Sequence, residues 1–246
     1  MKMRKSEDRD GELSLRSLLR EGEKESVLIL ITIPLILLFW VYFGKQADFE
    51  RLFQGFADRT NRDFYSAVYE YTTAFLLMFW VPFLIIRMHF KRPLSDFGIQ
   101  KGDARYGIRF VIFLIPFALW AAWIGSSMAE VQAEYPLAKS SMERPLQFFV
   151  MECLYLTFYF GWEFFFRGFI LFGLERRFGA LGAILIQTIP SAIVHIGKPA
   201  GESFGAILAG LLFGYLAVRT RSIYYPLLLH AILGIATDIF VTLRVL

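Results

Sequence analysis

Long runs of apolar residues, separated by short charged segments, set the pattern of this chain from about residue 26 to its end. Runs close to twenty residues, in which polar positions are rare, match the length a helix needs to cross about 30 Å of hydrocarbon. Seven spans are expected: 26–44, 65–87, 106–125, 146–174, 179–195, 203–218 and 222–245. The fifth and sixth are short for that thickness, which points to tilt or to shielding by neighbouring helices. The fold class is therefore all-α, a polytopic transmembrane bundle of about seven (six to eight) helices. Residues 1–25 read as a charged tail, and 26–246 as the transmembrane domain. Between the first two spans, Phe49, Leu52, Phe53 and Phe56 recur at helical spacing among charges, predicting an amphipathic surface helix within 45–64. The longest late loop is 126–145.

Polar residues inside the runs change the picture more than the runs themselves. Glu163 and Arg167 lie four apart in Gly161-Trp162-Glu163-Phe164-Phe165-Phe166-Arg167-Gly168. A charge near mid-bilayer costs roughly 2.5–3.5 kcal/mol on insertion scales. At about 100° per residue the two side chains are about 40° apart on one face, so they can neutralise each other. Glu152 and Tyr159 share that face. His195 follows Pro190 by five residues at the end of the fifth span, and His230 sits in the seventh, with Asp238 about 12 Å further along the axis. Asp238 is expected to bond a neighbouring backbone group. Glu202 follows His195 across the turn Gly197-Lys198-Pro199-Ala200-Gly201, and His89 reads as a surface residue. Gly210 and Gly214 form a small-xxx-small packing face that Gly201, Gly205 and Ala209 extend backwards.

Composition agrees: 56% of the 246 residues are hydrophobic and 17% aromatic, which excludes a soluble domain of this size. The net charge of +4 is carried by Lys and Arg concentrated in the tail, 87–105, 175–178 and 219–221. That bias puts the N-terminus in the cytoplasm, in a plasma (inner) membrane, and no basic cluster suits nucleic acid. The lone Cys153 allows no internal disulfide.

Carboxylates beside histidines, buried in hydrocarbon, can activate water, and a second histidine can donate to an oxyanion. The candidate catalytic residues are Glu163, His195, His230, Arg167 and Glu202. Glu163 or Glu202 would act with His195 on water, His230 would stabilise the oxyanion, and Arg167 would position the carboxylate. Glu163, His195 and His230 offer an alternative use as zinc ligands with an open water position. Both routes end in peptide hydrolysis, so no cofactor other than zinc comes into question.

Glu163-Phe164-Phe165-Phe166-Arg167-Gly168, then His195, then Arg219-Thr220-Arg221-Ser222-Ile223 leading to His230, resembles the CPBP family. These are membrane CAAX-type prenyl endopeptidases and bacteriocin-processing relatives, also called Abi proteins. The resemblance covers roughly 90–246 and is strongest from 145 onwards. It implies an intramembrane endopeptidase, of metallo- or glutamate type, with its core at about 145–246 and a membrane-associated peptide or protein as substrate. Three positions depart from the family pattern. Trp162 stands where a first glutamate is usual, Ser191 where the phenylalanine four before His195 is usual, and Gly234 where an asparagine is usual. A catalytically silent relative that binds a membrane partner, as an immunity protein would, is the second reading. A proton-coupled transporter is the third, and the clustering of polar residues in one half speaks against it.

Overall fold

The computed structural model describes residues 23–55 and 61–246, and it is helical with no strand among them. Most of the charged tail and Phe56 lie outside the described residues. The long helices are α1 (Lys24–Phe43), α3 (Arg62–Phe90), α4 (Ala104–Gly125), α6 (Pro145–Glu163), α7 (Gly173–Ile193), α8 (Ala200–Thr220) and α9 (Tyr224–Val245). Two short helices, α2 (Gln46–Leu52) and α5 (Ala129–Glu134), lie between them. Among the described residues, α1, α3, α4, α8 and α9 are long and apolar enough to cross a membrane. The expected fourth and fifth spans are helical as well; the fourth carries Glu152, Glu163 and Arg167 and runs through the interior of the bundle, while the fifth leaves Leu181, Leu185, Ile189 and Ile193 exposed.

That interior is organised by one helix. α6 runs without interruption into a π-helical segment, Phe164–Phe172, and then into α7. Every residue from 161 to 174 is buried, as expected of a helix that is apolar all round and sheathed by others. Ile29, Ile33, Ile36 and Trp40 of α1, Met78 and Ile86 of α3, and Ile184 of α7 pack around it. Lipid is as apolar as these side chains, so the cohesion comes from dispersion and fit, and ring-on-ring contacts such as Trp162–Phe166 at 4.7 Å supply it. The chain turns at Gly179, whose φ of 69° and ψ of 168° lie outside helical space and in a region open chiefly to glycine. The second half of α7 then ends three residues after Pro190, which leaves His195 in the turn before α8.

Around this axis α4 packs on α9, α7 on α8, and α3 on α6. The α7–α8 seam is where the small residues matter. A Cβ on Gly210 would fall 2.7 Å from Thr188 Cγ2, and one on Gly214 3.1 Å from Gln187 Nε2. Gln187 donates to the Gly210 carbonyl at 2.8 Å across the same seam. Gly201 and Gly205 do not extend it as the spacing suggested. A Cβ on either meets nothing within 4 Å, and both border a cavity instead. The surface helix expected in 45–64 shortens to α2, where Phe49 is buried and stacks near Tyr69 while Leu52 and Phe53 stay exposed. The 126–145 loop contains α5 and contributes Met128, Val131 and Tyr135 to the cavity wall.

Candidate active site

Two polar pairs lie beside a shared space between the helices. The first is entirely enclosed. Glu163 is 0% and Arg167 2% exposed, one helical turn apart at the start of the π-helical segment. Arg167 Nη1 donates to Glu163 Oε1 at 3.1 Å, and the same oxygen accepts from His230 Nδ1 on α9 at 2.7 Å. A carboxylate only accepts, so the His230 proton sits on Nδ1 and its Nε2 is left for the cavity. Arg167 also lies over the Phe213 ring at 5.4 Å, which softens the cost of burying its charge.

The second pair is half-buried and lies where α7 hands over to α8. His195 Nδ1 is 2.6 Å from the Ser191 carbonyl, and that oxygen can only accept. The proton is therefore on Nδ1 and Nε2 carries a lone pair. Nε2 faces Glu202 Oε1 across 3.9 Å. That gap is too wide for a direct bond and matches one water held about 2.8 Å from each. Glu202 Oε1 in turn accepts from the Tyr135 hydroxyl at 2.8 Å. Burial, with the Glu202 charge beside it, holds the Tyr135 phenol well above its ordinary range, so it remains a donor.

Trp162 separates the pairs. Its ring meets His195 edge-on at 5.5 Å and His230 at 6.5 Å. The position where the family pattern has a glutamate is thus an indole wall between the two histidines. Tyr159 meets the His230 ring in a tilted contact at 4.3 Å. His195, Glu202, His230, Trp162, Tyr159 and Tyr135 all line a cavity of about 500 Å³, and Glu163 does not. The carboxylate that reaches this space is Glu202, while Glu163 anchors His230 from behind.

The expected zinc set is not assembled. Glu163 is committed to Arg167 and His230, and His195 Nδ1 to the Ser191 carbonyl. Among the described residues no three His, Cys, Asp or Glu side chains converge as a metal site. The donor arrangement does not fit a resident zinc. Asp238 is corrected too: it is buried within hydrogen-bonding reach of the Glu152 carboxyl, not on a backbone group. His89 is exposed, as expected. Tyr135 is the site residue that sequence reasoning missed. It lies in a charged connecting segment with no periodicity to mark it, and only the folding of 126–145 against the cavity brings it to Glu202.

Fold and site together define a helical integral membrane protein with a buried Glu–Arg–His anchor beneath a cavity lined by a second acid–histidine pair. A family model described as type II CAAX prenyl endopeptidase, Rce1-like, matches residues 144–236. That segment, from the residue before α6 to the middle of α9, is similar to the Rce1-like family, in keeping with the CPBP resemblance. It contains Glu163, Arg167, His195, Glu202 and His230, whereas Tyr135 precedes it. No curated protein and no solved structure matches the chain.

Proposed function

We propose that the protein is an intramembrane endopeptidase that hydrolyses a peptide bond of a membrane-associated peptide or protein by glutamate–histidine activation of water. The observation that carries this reading is the 3.9 Å separation of His195 Nε2 and Glu202 Oε1 on the cavity wall, both of them acceptors. A water there donates one proton to each and keeps its lone pairs for the substrate carbonyl carbon. As the C–O bond forms, His195 takes one water proton, and the neighbouring carboxylate stabilises the resulting imidazolium. The carbonyl oxygen becomes an oxyanion. Its collapse breaks the C–N bond, and His195 returns the proton to the leaving nitrogen. His230, held through Nδ1 by Glu163, donates from Nε2 to the oxyanion in its doubly protonated form. Arg167 holds Glu163 in place. Under the same reading the catalytic core is about 145–246, and the N-terminus lies on the cytoplasmic side of the plasma membrane.

Newly formed protein termini in membranes expressing wild type and Glu202→Gln test it. Peptide ends present only with the wild type support the proposal and name the substrate. Identical termini, with the wild type folded and abundant, overturn it. That outcome favours the second reading, a silent partner-binding relative, which the Trp162 wall between the histidines supports.

A further inference from the structure

The hydrolytic reading leaves one requirement to which the polar groups answer unevenly. The oxygen that becomes negative needs donors, and the two groups that hold the water, His195 Nε2 and Glu202, are acceptors. His195 Nε2 carries a lone pair, and Glu202 is a carboxylate. His230 donates from Nε2 only when doubly protonated, because its other nitrogen already serves Glu163. A neutral donor would act whatever the protonation state of His230.

Tyr159 is placed to be that donor. It is 3% exposed, lines the cavity, stacks on Tyr155 at 4.2 Å and meets His230 in a tilted contact at 4.3 Å. Two ring neighbours leave it little freedom. Its hydroxyl lies against the α9 backbone at Gly234, one turn beyond His230. A Cβ on Gly234 would fall 1.8 Å from that oxygen and 2.6 Å from Cζ. No side chain other than hydrogen is compatible with the phenol in this position. Gly234 is therefore a socket for the Tyr159 hydroxyl on the helix that carries His230.

We infer that Tyr159 donates its hydroxyl hydrogen bond to the carbonyl oxygen of the scissile peptide as it becomes an oxyanion, in space that Gly234 keeps open. This rests on the hydrolytic reading above. Tyr159 gives up no proton; it is paired with the oxyanion while the C–O bond to water forms, and it is released as the C–N bond breaks. The donor lies on α6, the water-activating pair on α7 and α8, and the substrate carbonyl would lie between them.

The test uses the full chain in detergent micelles, with an internally quenched peptide ending in S-farnesyl-Cys-Val-Ile-Met as probe. Tyr159→Phe keeps the ring and its stacking and removes only the donor. Its kcat is expected to fall about 10²–10³-fold with KM little changed. The affinity of a matching peptide aldehyde, which mimics the tetrahedral species, should fall in parallel, and loss of packing alone would not produce that split. Gly234→Ala, the second variant, displaces the hydroxyl and should lower kcat while KM again holds. Full kcat in either folded variant overturns the Tyr159 assignment alone. A wild type that cuts neither this peptide nor any membrane protein overturns the hydrolytic reading together with it.

Discussion

His230 Nδ1 lies 2.7 Å from Glu163 Oε1, the oxygen that also accepts from Arg167 at 3.1 Å. One buried carboxylate thus joins the central helix to α9 and fixes the tautomer of the histidine. Sequence spacing makes Glu163 a candidate for direct work on water. The geometry gives it the role of a second carboxylate behind an imidazole, orienting a group that itself faces the cavity.

Removing that carboxylate should harm folding as well as turnover. Glu163→Leu leaves Arg167 as an uncompensated buried charge, a loss of about 3–5 kcal/mol where comparable pairs are broken. The double change Glu163→Leu/Arg167→Met should recover much of the thermal stability, read by unfolding in detergent, yet remain inactive. Recovery of activity in the double variant would show that His230 needs no anchor.

Tyr135 acts through Glu202 and should behave as a positioning residue. A hydrogen bond to a charged group is worth about 1.5–3 kcal/mol, so Tyr135→Phe is expected to lower kcat about 10- to 100-fold. Glu202→Gln should lower it further. Steady-state kinetics with a cleavable peptide checks the ranking, and a Tyr135→Phe variant as inactive as Glu202→Gln would put the phenol in direct contact with substrate.

The α7–α8 seam tolerates no added bulk. Gly210→Val drives two methyl groups into Thr188, whose Cγ2 is already 2.7 Å from the position of a first carbon. Overpacking of this kind costs about 1–3 kcal/mol. The variant should unfold at lower temperature in micelles. Gly205→Val, where a Cβ meets nothing within 4 Å, should leave stability unchanged and instead narrow the cavity.

Chelation should leave the rate unchanged. Glu163 and His230 are bonded to each other, and His195 faces Glu202, so three donors do not converge on one point. Peptide cleavage measured with and without 1,10-phenanthroline decides this. A loss restored by added zinc would require a rearranged site.

The apolar runs by themselves determined that the chain is a helical membrane protein. They also located the long helices to within a few residues, because hydrocarbon thickness and backbone hydrogen bonding leave few alternatives. The Glu163–Arg167 pair was legible for a related reason. Two charges four apart on an apolar helix have each other as the nearest compensation, and they are found bonded. Partners between helices were not legible. Nothing in linear spacing says that His230 turns to Glu163 and His195 to Glu202, since those choices depend on how α7, α8 and α9 are rotated and how deeply they sit. Only the packed structure sets the break at Gly179, the indole wall of Trp162, and the fold of 126–145 that delivers Tyr135. It also turns Gly234 from a missing side chain into the space occupied by the Tyr159 hydroxyl. Local patterns record what each segment must bury, whereas the active arrangement arises from contacts between segments that share no sequence register.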